Sequence, residues 1–154
     1  MSGHEIEVSR EIQASAEGVW AVITDIPGAA RVLRGVSRIE MLTDGPYDVG
    51  TRWLETRRMM GREETQDMVV AECNVPVQTR VTATDGGVNY SSTLRVERLG
   101  EARCRLSMSF GAQHPGASPF ARLLWTVFGP LGARFARHRM AADLDDIAAA
   151  AESA

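Results

Sequence analysis

Residues 6–24, IEVSREIQASAEGVWAVIT, place two different periodicities side by side. Over residues 6–12 apolar and polar side chains alternate, which predicts a half-buried strand. Ser15 can then accept a backbone N–H and cap a helix over residues 16–24. The apolar residues of that segment recur at helical spacing: Val19, Trp20 and Ile23. The chain is therefore predicted to begin with a strand followed directly by a short helix.

Six further strand-like segments follow, separated by turn sequences. They cover residues 36–42, 51–58, 62–73, 77–84, 88–96 and 103–110. Asp85-Gly86-Gly87 is a strong hairpin signal, and a short helical turn is predicted at residues 29–33, after Pro27 ends the first helix. Because successive hairpins pair neighbours along the chain, we expect one antiparallel sheet.

The end of the chain has a helical pattern over residues 119–151, with an interruption at Gly129-Pro130. Proline lacks an N–H, so the helix should kink or restart there. One apolar stripe runs from Phe120 to Phe135, and a second covers residues 133–147. At 100° per residue the two stripes lie on nearly opposite sides of an ideal helix.

These elements predict a single α+β domain over residues 1–154. Its seven-stranded antiparallel sheet should wrap around a long C-terminal helix, with two short helices after the first strand. A single helix laid across a curved sheet tends to leave a cavity between them. The predicted architecture therefore favours a protein that binds a ligand.

Composition excludes several function classes. The 154 residues are 44% hydrophobic and 24% charged, as in ordinary globular proteins, and the net charge of −3 argues against nucleic acid as an obligate partner. No window approaches the roughly 18 apolar residues of a membrane span, and the first residues lack signal-peptide character. Cys73 and Cys104 lie in strand-like segments and are expected to be reduced and buried, which favours a cytoplasmic protein.

Several segments resemble the polyketide cyclase/dehydrase and lipid-transport family, part of the START and pollen-allergen-like (SRPBCC) superfamily. They are IEVSREI at 6–12, SAEGVW at 15–20, TDIP at 24–27, VGTRWLETR at 49–57 and MGREE at 60–64. The resemblance spans nearly the whole chain. It implies a helix-grip fold that holds a hydrophobic or amphipathic small molecule between sheet and helix. The shared positions are mostly structural, so the resemblance assigns no catalytic residue.

The strand alternation indicates which side chains face that interior. If Trp53 points inward, Glu55 and Arg57 share its face, and Met68 likewise brings Gln66 with it. Ala133 and Ala136 are small residues where the last helix crosses the sheet, and they would leave volume unfilled. The candidate ligand-binding residues are Trp53, Glu55, Gln66, Met68, Tyr90, Ser92, Leu106, Met108, Phe110, Ala136 and Met140. The alternative is that the apolar members are simply packed core.

Glu55 and Tyr90 are the weak candidates for catalysis. A Glu55 buried without a partner would have a raised pKa, which suits a general acid or base. Alternatively, Glu55 and Arg57 lie near a strand end in water, paired with a neighbour. The histidines His4, His114 and His138 lack metal-ligand spacing, and hydrolase, phosphate-loop and dinucleotide motifs are missing, so neither a metal site nor a cofactor is predicted.

The last helix also carries a run of charges. Three arginines precede three aspartates: Arg134, Arg137, Arg139, Asp143, Asp145 and Asp146. Such a run is typical of a solvated helix face, where Arg139 and Asp143 would form a local pair worth about 0.3–0.5 kcal/mol.

Three functions remain open from the sequence. The first is a carrier or sequestering protein for a lipid-like or polyketide-like molecule. The second is a cyclase, aromatase or dehydratase that acts on a substrate in the same cavity. The third is an interaction module, in which the stripe from Phe120 to Phe135 docks a second subunit or a membrane surface. The alternative for Phe120–Phe128 is that this segment packs over the sheet and closes the pocket.

Overall fold

The architecture is taken from a computed structural model, which describes residues 4–59, 61–85, 88–113 and 130–154. Residues 86 and 87 of the predicted hairpin turn lie outside the described residues. So do residues 114–129, which include most of the apolar stripe that starts at Phe120.

Seven strands form one antiparallel sheet in the order β1-β7-β6-β5-β4-β3-β2. The strands are β1 (His4–Ile12), β2 (Val36–Met41), β3 (Arg52–Met59), β4 (Arg62–Asn74), β5 (Gln78–Asp85), β6 (Val88–Gly100) and β7 (Arg103–Gln113). Strands β2 to β7 pair as successive hairpins, and β1 closes the order by pairing with β7. The predicted sheet is confirmed.

The described helices agree with the predicted ones, and residues 119–129 of the predicted last helix lie outside the described residues. Helix α1 (Ala16–Thr24) begins at Ser15, whose hydroxyl accepts the Gly18 N–H at 3.0 Å. A 3₁₀ turn (Ile26–Gly28) and the short α2 (Ala29–Val32) follow. Helix α3 is described over Pro130–Glu152. Two short helices after β1 and a long C-terminal helix complete the predicted helix-grip fold.

The larger apolar cluster, the main core, lies between α3, α1 and the β1, β6 and β7 strands. Met140, Leu144 and Ile147 recur at helical spacing and present one face of α3 to this cluster. The buried members of the main core are Ile12, Ala16, Val19, Trp20, Ile23, Val96, Cys104, Leu106, Met108, Met140, Leu144, Ile147, Ala148 and Ala151. This cluster fixes the C-terminal half of α3 on the sheet.

A second apolar cluster, the minor core, lies on β2–β5. Its buried members are Ile26, Trp53 and Val70. Partly buried side chains surround them: Ile39, Met41, Tyr47, Met68, Cys73 and Val81. The apolar face of the sheet therefore continues beyond the main core, but with more of its surface reached by water.

The charged run on α3 is only partly the solvated face that the sequence predicts: Arg134, Arg137 and Asp145 are exposed, but Asp143 is not. Asp143 is buried and pairs with Arg57 of β3, 86 residues away in sequence, rather than with Arg139. Asp145 pairs with Arg10 of β1, and Asp146 with Arg34. The side of the helix that carries Asp143 and Asp146 is turned inward, so Asp143 has a long-range partner in place of the local one. Over the described ranges, none of the helices is long and apolar enough to cross a membrane.

Candidate ligand-binding site

The sheet register brings the predicted candidates of β3 to β6 into one row. Trp53 is opposite Met68, Met68 is opposite Ala83, and Ala83 is opposite Tyr90. Because Trp53 is buried in the minor core, this row lies on the face of the sheet that the helix crosses. Ser92 lies in the adjacent row, opposite Phe110.

Exposure changes along this face. On β7, Leu106 is 0% exposed and Met108 is 8% exposed, whereas Phe110, two residues further, is partly exposed. On β6, Val96 is buried while Ser92 is partly exposed. The accessible part of the face therefore lies toward the start of β6 and the end of β7, at the level of Met68 and the row that contains it.

Aromatic rings form part of this accessible surface. The Tyr90 and Phe110 rings stack with centroids 5.9 Å apart and an interplanar angle of 19°. Offset stacking of this kind fixes the two rings relative to each other. They provide a flat apolar surface beside the hydroxyl group of Ser92.

A chain of polar contacts leads from Trp53 to the last helix. The Trp53 indole Nε1 donates to Glu55 Oε1 at 3.2 Å, and Arg57 Nε donates to Glu55 Oε2 at 2.8 Å. The two terminal nitrogens of Arg57 donate to the two oxygens of Asp143 at 3.3 and 3.0 Å. Trp53, Glu55 and Arg57 lie on one face of β3, because side chains two residues apart in a strand point the same way. We refer to Glu55, Arg57 and Asp143 as the ionic bridge.

Burial and charge oppose each other within the ionic bridge. Burial alone would lower the pKa of Arg57, but the charges and hydrogen bonds of Asp143 and Glu55 outweigh it and raise that pKa above its ordinary value. Burial raises the pKa of Asp143, and the attraction of Arg57 offsets this only in part. The arginine is therefore firmly charged, whereas the aspartate carries a desolvation cost.

The structure separates the predicted candidates into two groups. Trp53, Glu55, Gln66 and Met68 are neighbours on β3 and β4, with Glu55 opposite Gln66, and the side chains of β6 and β7 described above continue their surface. By contrast, Leu106, Met108 and Met140 belong to the main core. Ala136 is partly buried on α3.

From the sequence, Glu55 is a candidate acid or base on the condition that it is buried without a partner. The structure corrects this, because Glu55 has two partners. Its two carboxylate oxygens accept hydrogen bonds from the indole of Trp53 and the guanidinium of Arg57. The side chain is 13% exposed, so it is not at a strand end in water. Tyr90 lies on β6, and β4 and β5 separate it from Glu55.

Two residues of this region were missed from the sequence. Asp143 lies three residues after Met140, on the apolar stripe of α3. A charged residue on an apolar stripe was the sign in the sequence that Asp143 is buried and needs a partner. The Tyr47 hydroxyl lies 2.6 Å from the Thr79 hydroxyl, and burial raises the pKa of Tyr47 to about 12. Tyr47 belongs to the segment between β2 and β3, which has no periodicity to predict its direction.

The two cysteines are free thiols. Cys104 is buried as expected, but Cys73 is partly exposed; a register shift in β4 between Val70 and Glu72 places it on the inner face, opposite Thr79. Burial raises the pKa of both thiols. In the part of the chain that the structure describes, no three His, Cys, Asp or Glu side chains are grouped to hold a metal ion.

The opposite face of the sheet carries a shallow hollow of about 350 Å³. It is lined by Arg52, Asp67, Val69, Thr82 and Thr84, together with Ala83, which belongs to the inner row described above. Arg52 and Asp67 already satisfy each other across it, with Arg52 Nε 2.7 Å from Asp67 Oδ1. The hollow is open to solvent and contains neither Trp53 nor the ionic bridge.

Residues 3–152 match the family described as polyketide cyclase / dehydrase and lipid transport. Since the match covers nearly the whole chain, the protein belongs to this family. None of the curated proteins searched matches this chain.

Solved structures share the fold at low sequence identity. A Thermus thermophilus protein is 16% identical with a TM-score of 0.79, over 97% of this chain and 98% of that one. The Zhui aromatase/cyclase of a Streptomyces species is 17% identical with a TM-score of 0.76, over 98% and 94%. Norcoclaurine synthase of Thalictrum flavum is 20% identical with a TM-score of 0.73, over 97% and 94%. These similarities show the helix-grip fold.

Proposed function

We propose that the protein binds a hydrophobic or amphipathic small molecule and acts as its carrier or sequestering protein. The proposed binding face consists of Trp53, Met68, Tyr90, Ser92 and Phe110. The observation that carries the proposal is the gradient of exposure along the sheet. The apolar face is closed at the main core, whereas Met68, Tyr90, Ser92 and Phe110 are partly exposed, and Trp53, which is 2% exposed, lies opposite Met68 at their border.

The chemistry of the face suits such a ligand. Aromatic and thioether side chains supply most of the surface, and the hydroxyl of Ser92 and the amide of Gln66 supply hydrogen-bonding groups at its border. Pockets for small molecules are typically apolar with a few polar groups of this kind. The expected ligand is therefore mainly apolar and carries a small number of oxygens.

The comparisons support a role of this type. The description of the family combines lipid transport with polyketide cyclase and dehydrase activity, and a carrier needs only the first. Structural neighbours include an aromatase/cyclase and norcoclaurine synthase. Because a fold of this kind hosts several functions, the choice rests on the residues of the face.

A polyketide cyclase, aromatase or dehydratase is the second candidate, and the ionic bridge favours it, since it brings a carboxylate and a guanidinium to the edge of the face. Glu55 and Tyr90 are separated by two strands, or roughly 14 Å in a flat sheet. A substrate that touches both must therefore be elongated. Under this alternative, Glu55→Gln/Tyr90→Phe should keep binding but lose cyclised product from a poly-β-ketone supplied by a minimal polyketide synthase.

The interaction-module hypothesis depends on the stripe that starts at Phe120. Residues 120–128 of that stripe lie outside the described residues, so the hypothesis stays as the sequence states it. Dimerisation and membrane contact through this stripe likewise remain predictions.

Binding of anilinonaphthalene sulfonate, an amphipathic fluorescent probe, tests the proposal. Ser92→Phe should fill the face and weaken probe binding by roughly tenfold, whereas Thr93→Phe, the adjacent residue on the opposite face, should leave it unchanged. Far-ultraviolet circular dichroism checks that both variants are folded. Equal affinity in the wild type and a folded Ser92→Phe variant would contradict the assignment of the site.

A further inference from the structure

The ionic bridge forms a continuous path from the last helix to the binding face. Asp143 on α3 holds both terminal nitrogens of Arg57, and Arg57 Nε holds Glu55. The other oxygen of Glu55 accepts the indole N–H of Trp53. Three successive contacts thus connect a helix residue to an aromatic ring of the minor core.

Stability alone gives no reason for this arrangement. A buried ion pair gains little over well-packed apolar side chains of the same size, because removing both charges from water is costly. Asp143 is 9% exposed and lies between Met140 and Leu144 on the apolar stripe of α3. An apolar residue at position 143 would suit that stripe better, so the carboxylate is better explained by what it holds.

The backbone around Arg57 restricts its movement. A Cβ at Gly35 would lie 3.3 Å from Arg57 Nη1 and 2.9 Å from Arg139 Nη2, so the glycine lets the chain pass close to both guanidinium groups. Arg139 Nη1 is itself fixed by the Arg58 carbonyl at 3.0 Å. Arg57 thus binds both carboxylates and lies close to the backbone at Gly35, so a displacement of Asp143 should be passed to Glu55.

We propose that Asp143 is a positioning residue. Through Arg57 it fixes the carboxylate of Glu55, and thereby the indole ring of Trp53, so that the seating of α3 on β3 sets the shape of the binding face. The link between α3 and the indole of Trp53 is inferred from the hydrogen bonds described above. The effect of this link on ligand affinity rests on the proposed function. By linkage, a ligand that favours this position of Trp53 also favours the seated helix.

The indole N–H resonances in proton NMR spectra of the free protein test the link. Trp53 is assigned with Trp53→Phe, and Glu55→Gln supplies the shift caused by changing its direct acceptor. Asp143→Asn should move the Trp53 resonance in the same direction and leave that of Trp20, in the main core, in place. Asp145→Asn is the matched control, since it removes the same charge from the same helix at a side chain that is 60% exposed.

A Trp53 resonance unchanged in Asp143→Asn, or moved equally by Asp145→Asn, would overturn the proposal. Should Asp143→Asn fail to fold, Arg57→Lys replaces it, because lysine keeps the charge but cannot hold both carboxylates in the same fork. The Trp53 resonance should then also move, and an unchanged resonance would again contradict the link. Asp143→Glu, which retains the carboxylate, should restore most of the wild-type position.

Probe binding separates this inference from the proposed function. Anilinonaphthalene sulfonate should bind Asp143→Asn several-fold more weakly than Asp145→Asn. If the wild type does not bind the probe at all, the proposed function fails while the NMR result stands. If the probe binds the two variants equally and Trp53 has moved, the link is upheld but its control of affinity is refuted.

Discussion

The main core and the minor core use the same sheet in different ways. In the main core, Leu106 and Leu144 are 0% and 1% exposed and belong to the apolar cluster between α1, α3 and the sheet. In the minor core, Trp53 is buried, but Met68 beside it is partly exposed. The indole N–H of Trp53 donates to Glu55, the first residue of the ionic bridge. One end of the sheet therefore anchors the helix, and the other keeps apolar surface available.

The largest effect is expected in the main core. Leu106→Ala should lower the free energy of unfolding by about 3–4 kcal/mol, because it removes a fully buried side chain and leaves a cavity. Urea denaturation followed by circular dichroism measures the change. A loss below about 1 kcal/mol would mean that this part of the sheet is not tightly packed.

Breaking the ionic bridge should come next. Arg57→Met leaves two carboxylates close together without their cation, which should lower the free energy of unfolding by about 2–3 kcal/mol. The arginine is 25% exposed, so water reduces the cost below that of a fully buried pair. The double variant Arg57→Met/Asp143→Asn should recover part of the loss. Strictly additive losses would show that the bridge is not a coupled unit.

Shortening a side chain of the binding face should cost much less than in the main core. Met68→Ala is expected to lower the free energy of unfolding by about 1 kcal/mol, since Met68 is already partly exposed. The same urea titration compares it with Leu106→Ala. Similar losses in both variants would remove the distinction between the packed and the accessible parts of the sheet.

The smallest effect concerns Tyr47, whose pKa is raised to about 12 by burial. The folded protein keeps this proton above the pH at which the unfolded chain releases it, so stability should fall as the pH rises from about 10 to 12. Tyr47→Phe should cost about 0.5–1 kcal/mol at neutral pH. It should also abolish this decline and the matching tyrosinate absorbance. A Tyr47 that ionises near pH 10 would contradict its burial.

The alternation of apolar and polar residues predicted which side chains of β3 share a face, because no register shift interrupts the pairing of β3 with β4. Strand β3 pairs with β4 without a shift from Arg52 to Met59, so Trp53, Glu55 and Arg57 keep one face. The register shift in β4 comes after Val70 and affects Cys73 instead. The directions of the side chains in β3 could therefore be predicted from a period of two.

Pairing across the fold could not be predicted in this way. The local rule for helices joins Arg139 to Asp143, but the structure joins Asp143 to Arg57, because the orientation of α3 is set by the apolar residues of the main core. The position of Tyr47 against Thr79 depends similarly on how an aperiodic segment folds over β5. Both contacts arise from tertiary packing that a local pattern does not contain.

The most direct test of the central claim is methyl NMR of the methionines during a titration with decanoic acid. Met68 reports on the binding face and Met140 on the main core, and each is assigned by its Met→Leu variant. The account predicts that the Met68 methyl resonance shifts to saturation while the Met140 resonance stays in place. A shift confined to Met140, or no shift of Met68 at saturating decanoic acid, would contradict it.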